Sequence, residues 1–369
     1  MEYFPSYLLG FLVATALIWL LQPLARFAGL VDHPGGRKKH DGTIPLIGGL
    51  AMYFGLVVAV ASISAPIAGV GGLLLGGAVL LVVGTIDDKK GLSTWIRFLA
   101  QIVAALIMVY VSGVKLTNLG SLFGGTPLEL GDLAVPFTVF ATVGVINALN
   151  MSDGMDGLAG GLTLITVIGL MIAALVGGNV SVFYLFPGLV AVIAAFLMFN
   201  MRTPWRSHAK IFMGNGGSML LGFIVAWLLV NLSQGDNPSV TPATALWLFA
   251  LPLLDTVCIM IRRIMKGRSP FAPDREHFHH ILLVAGYSSG QAVAIMCALA
   301  TVLAVIGLGM DTLNLPDSVV VAVFLCLYGL YFWGMNHAWT VMKAIRRDHH
   351  PNGPHGHDEA VGPPRQARE

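Results

Sequence analysis

Four short blocks concentrate the side chains that could do chemistry in this chain. The first is Gly84-Thr85-Ile86-Asp87-Asp88-Lys89-Lys90, which closes an apolar run. Two adjacent carboxylates at a helix C-terminus oppose the helix dipole, so Asp87 and Asp88 call for a cation or a proton. The second block puts Asn147, Asn150, Asp153 and Asp156 within ten residues. Asp153 and Asp156 are three apart and share a face of a helical turn, and a glycine follows each, which lets a ligand approach the backbone. Oxygens so spaced suit Mg²⁺, which takes one or two carboxylates and leaves its other positions to water and phosphate. A plain Asx turn between two helices is the structural alternative. The spacing and terminal Glu of a calcium-binding EF-hand are absent.

The third block, Phe212-Met213-Gly214-Asn215-Gly216-Gly217-Ser218, is a glycine-rich entry to a helix. Its backbone N–H groups could cradle a phosphate at the positive end of the helix. Small residues packing helices closely would read the same way. The fourth is Pro273-Asp274-Arg275-Glu276-His277-Phe278-His279-His280. No cysteine and no HExxH spacing supports zinc. Imidazole and guanidinium donors to phosphoryl oxygens fit better, and a solvated loop is the plain alternative. The later histidines His349, His350, His355 and His357 have no ordered context and receive no role.

These blocks must be positioned by apolar helices. Of 369 residues, 56% are hydrophobic and 11% charged, with a mean hydropathy of +0.78, where soluble domains carry about 25% charged residues. About 20 apolar residues cross a bilayer as a helix. The sequence predicts an all-α polytopic membrane protein of about eleven spans, near Tyr7–Phe27, Leu46–Ser64, Val70–Ile86, Ile96–Val111, Leu133–Leu149, Leu158–Val176, Phe183–Phe199, Phe212–Leu232, Ala245–Ile261, Ala292–Met310 and Val319–Trp339. Long continuous apolar runs exclude a membrane β-barrel. With the N-terminus outside, the inside segments and adjoining span ends hold 20 of the 21 Lys and Arg residues, Lys115 being the exception. The positive-inside rule therefore predicts a periplasmic N-terminus and a cytoplasmic C-terminus. All four blocks then fall on the cytoplasmic side. Asp255 lies in the lower half of the ninth span and is a further candidate.

No basic run is interleaved with aromatics, so nucleic acid is not indicated as a partner. Cys258, Cys297 and Cys326 lie in apolar runs and read as buried hydrophobes. The first apolar run lacks a basic n-region and a cleavage site and reads as a retained span. Residues 1–340 form one membrane domain, and 341–369 a cytoplasmic tail expected to be disordered.

Taken in order, the blocks resemble one family, the bacterial polyprenyl-phosphate N-acetylhexosamine-1-phosphate transferases, most closely the WecA type. The likeness runs from about Gly29 to Trp339. It includes Arg37-Lys38-Lys39-His40 with Ile44-Pro45-Leu46-Ile47-Gly48-Gly49, the Asp87-Asp88 pair, the stretch Asn147 to Gly157, and Ser269-Pro270-Phe271-Ala272 running into the histidine block. That last block resembles the GlcNAc-using branch rather than the muramoyl-pentapeptide branch. The resemblance implies transfer of GlcNAc-1-phosphate from UDP-GlcNAc to undecaprenyl phosphate with release of UMP, at a bacterial inner membrane. It implies Mg²⁺ as cofactor, with Mn²⁺ able to substitute. A homodimer is left open.

Residue by residue, the resemblance implies Mg²⁺ on Asp156 and Asn215, and Asp87 or Asp88 orienting or deprotonating the lipid phosphate. Arg97, His279 and His280 would bind phosphate oxygens. Asn147, Asn150 and Asp153 would seat the nucleotide, and Arg275 and His277 the sugar or its phosphate. Lys38, Lys39 and His40 would lie near the lipid headgroup. One position departs from the family: Asn215 stands where its members usually have a metal-binding Asp. The eukaryotic dolichyl branch carries Asn at the position of Asp156 and Asp at that of Asn215, so one carboxylate and one carboxamide are an acceptable pair. The alternatives are the same chemistry with another UDP-N-acetylhexosamine as donor or, in a different class, an ion-coupled transporter. The latter would place its carboxylates near the midplane and often shows internal repeats.

Overall fold

The structure is a computed structural model that describes residues 3–33, 42–178, 180–203, 205–206, 208–270 and 277–337. Lys38, Lys39, His40, Arg275 and the tail lie outside the described residues. Apolar runs of this length satisfy their backbone only as helices, and the chain folds accordingly. In order these are α1 Phe4–Ala28, α2 Gly48–Ala61, α3 Val70–Lys90, α4 Thr94–Tyr110, α5 Ala134–Ser152, α6 Leu158–Val176 and α7 Val180–Phe183. Then follow α8 Leu185–Asn200, α9 Gly214–Ser233, α10 Pro242–Leu248, α11 Ala250–Met265, α12 Phe278–Val284, α13 Ser289–Thr312 and α14 Asp317–Asn336. Two two-residue strands, β1 (Val31–Asp32) and β2 (Ile44–Pro45), pair antiparallel.

Among the described residues, seven helices are long and apolar enough to cross a membrane, and an eighth if α10 and α11 count as one broken span; α2, α4 and α8 are shorter apolar helices. The seven helices and the broken pair coincide with eight of the eleven expected spans, and the three shorter helices lie at the second, fourth and seventh. The ninth differs from expectation: Ala245–Ile261 is not one straight helix, because α10 and α11 meet at 85°. Pro252 supplies the reason. A continuous helix would need the missing Pro252 N–H to reach Leu248 O, and the ring would clash there. In the first turn of α11, Pro252 costs nothing, and Leu248 O instead accepts a hydrogen bond from Thr166 Oγ1 at 2.8 Å.

The axis of the bundle is α9, nearly all of whose surface is buried. Three helices touch it through glycines. A Cβ on Gly84 of α3 would lie 2.3 Å from Gly216 Cα, one on Gly49 of α2 would lie 2.5 Å from Gly217 Cα, and one on Gly222 would lie 2.7 Å from Ile146 Cα of α5. Small residues let backbones approach where lipid offers no hydrophobic drive between helices. Polar ties close one end of the bundle. There Gln234 Oε1 accepts from Thr117 N, Asp317 from Ser121 N and Asp311 from Thr244 Oγ1. The other end holds the site.

Candidate active site

The Gly84–Gly216 contact brings the last turn of α3 against the first turn of α9, and so sets Asp87 and Asp88 beside Asn215. Asp88 Oδ1 accepts the Asn215 backbone N–H at 2.9 Å, and Oδ2 faces the Gly216 N–H at 3.4 Å. Asp88 therefore caps α9 from another helix. This corrects the phosphate-cradle expectation, since these two N–H donors are already held by an internal carboxylate. It also resolves the dipole problem, because the positive end of α9 offsets the negative end of α3. Gly214 makes the turn possible. Its φ is +71°, and a Cβ there would meet Asp88 Oδ2.

Asp87 is 6% exposed. It accepts from Leu92 N at 2.6 Å and from Asn215 Nδ2 at 2.9 Å, with Arg97 Nη1 at 3.5 Å. Asn150 Nδ2 donates to Asn215 Oδ1 at 3.2 Å and to Ser218 Oγ at 2.7 Å. One network thus joins Asn150, Asn215 and Asp87 across α5, α9 and α3. Asn147 turns away, with its amide on Gln101 Oε1 at 2.7 Å.

Asp156 accepts from Arg202 Nε at 2.7 Å and from Ala209 N at 3.3 Å. Sequence reasoning used Arg202 only for orientation, although a cation in a short inside loop between two spans was a signal. Asp153 is open to the cavity but ringed by protein. Loss of bulk water, then repulsion from Asp88 and Asp156, pushes its carboxyl up to about 7.

The histidines form a row. His277 stacks on His279 at 5.5 Å with 13° between the ring planes, and His279 lies 4.1 Å from His280. His279 is buried, and neither of its ring nitrogens finds a hydrogen-bond partner among the described residues. Burial, then the neighbouring His280 and His277, push it down to about 3, against a smaller opposing effect of Asp255, so it is neutral at pH 7. Gly154 leaves room for it, since a Cβ there would lie 2.6 Å from His279 Nε2.

These groups surround a cavity of about 1120 Å³. Asp87, Asp88, Arg97, Asp153, Asp156, Asn215 and His280 line it, as do Asp32, Arg202 and His208, which sequence reasoning did not single out. Asn150, His277 and His279 stand just behind. Asp32 of β1 and Ile44 of β2 line the cavity, and Lys38, Lys39 and His40 fall between them in sequence. Among the described lining residues five carboxylates face two guanidinium groups. A cavity so charged repels an anionic substrate unless a cation accompanies it. All-oxygen donors suit a hard cation such as Mg²⁺. No three His, Cys, Asp or Glu side chains form a ready-made metal cage among the described residues, and Mg²⁺ needs only one or two carboxylates.

The structure thus shows a bundle of helices, most of them apolar enough to cross a membrane, with a large acidic cavity at one end. Residues 70–233 match the family model described as Glycosyl transferase family 4. Over 338 residues the chain is 36% identical to the undecaprenyl-phosphate alpha-N-acetylglucosaminyl 1-phosphate transferase of Escherichia coli (strain K12), covering 91% of this chain and 92% of that protein. The Salmonella typhi protein of the same name is 38% identical over the same shares. That of Haemophilus influenzae is 36% identical over 93% of this chain and 96% of its own length. The chain belongs to this family of undecaprenyl-phosphate N-acetylglucosaminyl 1-phosphate transferases.

Proposed function

We infer that the protein transfers GlcNAc-1-phosphate from UDP-GlcNAc to undecaprenyl phosphate, giving undecaprenyl-diphosphate-GlcNAc and UMP, the first step of a lipid-linked surface glycan. The carrying observation is the identity of 36–38% across nine-tenths of the chain to proteins named for that reaction. The cavity at one end of the bundle fits it. The distribution of basic residues supports eleven spans and a cytoplasmic site in a bacterial inner membrane.

Phosphoryl transfer is largely positioning and charge neutralisation. Asp156 and Asn215 would hold Mg²⁺, which when bound neutralises the donor pyrophosphate. Asp87 and Asp88, fixed by α9 and Leu92 N, orient the lipid phosphate and take any proton it still carries. A phosphate monoester is mostly ionised at pH 7, its second pKa being about 6, so direct in-line attack needs no strong base. Arg97 and His280 reach phosphate oxygens from the cavity wall.

In detergent or membranes the chain is expected to release UMP from UDP-GlcNAc only with undecaprenyl phosphate present. Chelation should abolish the activity and Mn²⁺ restore it. A panel of UDP-N-acetylhexosamines, read by UMP and lipid product mass, tests the sugar. Preference for another hexosamine would overturn the donor, and solute uptake without UMP would favour a transporter.

Asn215→Asp tests the metal site. The new carboxylate faces Asp87, converting the 2.9 Å hydrogen bond into a repulsion that a divalent cation relieves. Turnover at saturating Mg²⁺ should equal or exceed that of the parent, with half-saturation at a Mg²⁺ concentration about tenfold lower. Complete loss at every Mg²⁺ concentration would mean that the carboxamide bridge itself is required.

A further inference from the structure

The histidine row is held from behind by a group outside the cavity. Asp255 sits on α11, five residues past the end of the break at Ala250, and is 3% exposed. Its Oδ2 accepts from His277 Nδ1 at 2.7 Å, while Oδ1 accepts from Phe278 N at 3.0 Å and from Tyr331 Oη at 2.8 Å. The donors come from the start of α12 and from α14. An ionised carboxylate only accepts, so His277 must carry a proton on Nδ1, and its Nε2 points away from Asp255.

An ionisable group buried among apolar helices is costly unless it is partnered. Capping α12 would need the Phe278 N–H alone. The two further bonds fix a ring and a phenol. The fixed ring of His277 lies parallel to His279, His279 abuts His280, and His280 lines the cavity. Gly154, beside Asp153, closes the other side of His279. Displacing His277 would therefore shift the whole row against the cavity wall.

We propose that Asp255, backed by Tyr331, is a positioning residue of the transfer reaction: it locks His277 with its proton on Nδ1 and thereby sets the His279–His280 pair against the cavity. The proposal rests on the transferase reading above. Through these bonds Asp255 ties α11 to the start of α12 and to α14.

Asp255→Asn keeps the size of the side chain and an acceptor for Phe278 N and Tyr331 Oη. It presents an N–H to His277 Nδ1 and so drives the ring to the other tautomer. The full chain, ¹⁵N-labelled at histidine, can be read by NMR, with His277 assigned by its loss in His277→Gln. UMP release is measured in parallel. The expected result is a proton on Nδ1 in the parent and on Nε2 alone in Asp255→Asn. The variant's kcat should fall about 100-fold, as for a misplacement of about 1 Å, while KM for UDP-GlcNAc changes less than about threefold. Tyr331→Phe should keep the tautomer and lose less than about tenfold. Asp255→Asn added to His277→Gln should cost little more than His277→Gln alone.

An unmoved tautomer, parental turnover in Asp255→Asn, or fully multiplicative losses in the double variant would each overturn the proposal. A loss that merely tracks unfolded protein in the melting curve would also overturn it. If the parent itself releases no UMP, the transferase reading fails, and the lock is then judged on the tautomer alone.

Discussion

Asp88→Ala is expected to lower UMP release on the order of 10³-fold, and to reduce stability by about 1 kcal/mol. The two effects have separate origins. The stability loss follows from uncapping α9, since Asp88 Oδ1 accepts the Asn215 N–H at 2.9 Å. The activity loss follows from removing a fixed negative charge from a cavity arranged around a cation and two phosphate-bearing substrates. Asp88→Asn tells them apart. Its carbonyl can still accept from the Asn215 N–H, so melting should return close to that of the parent. Its charge is gone, so turnover should stay at least about 100-fold down. If Asp88→Asn restored turnover together with stability, Asp88 would be only a cap, and the role in orienting the lipid phosphate would pass to Asp87 alone.

This double duty explains what could be read from the sequence and what could not. The one-sided gathering of Asp87, Asp88, Asp153, Asp156, Asn215 and His280 was legible, because charge is costly at membrane depth and its placement follows the helix ends. The role of Gly214 to Ser218 was ambiguous, because a glycine-rich helix start serves phosphate binding and helix contact alike. Only the packing of α3 and α2 on α9 shows that Gly216 and Gly217 are contact residues, and only the crossing of α3 and α9 shows that the N–H groups of Asn215 and Gly216 belong to Asp88. The break at Phe249 was foreshadowed by Pro252, but apolar periodicity runs straight through it. The Arg202–Asp156 and Asp255–His277 pairs join segments 46 and 22 residues apart. Pairings of that kind follow from how the helices pack, and no local pattern encodes them.

The largest effect of a substitution outside the cavity is expected at Gly84. In Gly84→Ala the new methyl would lie 2.3 Å from Gly216 Cα and 2.5 Å from its N. Both are backbone atoms of the most buried helix, so no side chain can swing aside. Overpacking of this kind costs about 1–3 kcal/mol. The relief open to the molecule is for α3 and α9 to part at the cavity end. Parting by about 1 Å would stretch the bonds from Asn215 to Asp87 and Asp88 and cost about 100-fold in turnover. Gly71→Ala is the control, because it lies on the same helix with nothing within 4 Å of the added carbon. A helix-favouring residue there should leave turnover intact and stability equal or slightly higher. Equal, mild effects of the two substitutions would mean that the α3–α9 crossing tolerates separation, and that the carboxylate pair is held by its hydrogen bonds rather than by the glycine contact beneath it. A steep loss at Gly84 alone would place the geometry of the site in the backbone contact, with Asp87 and Asp88 carried to their positions by the fit of one glycine against another.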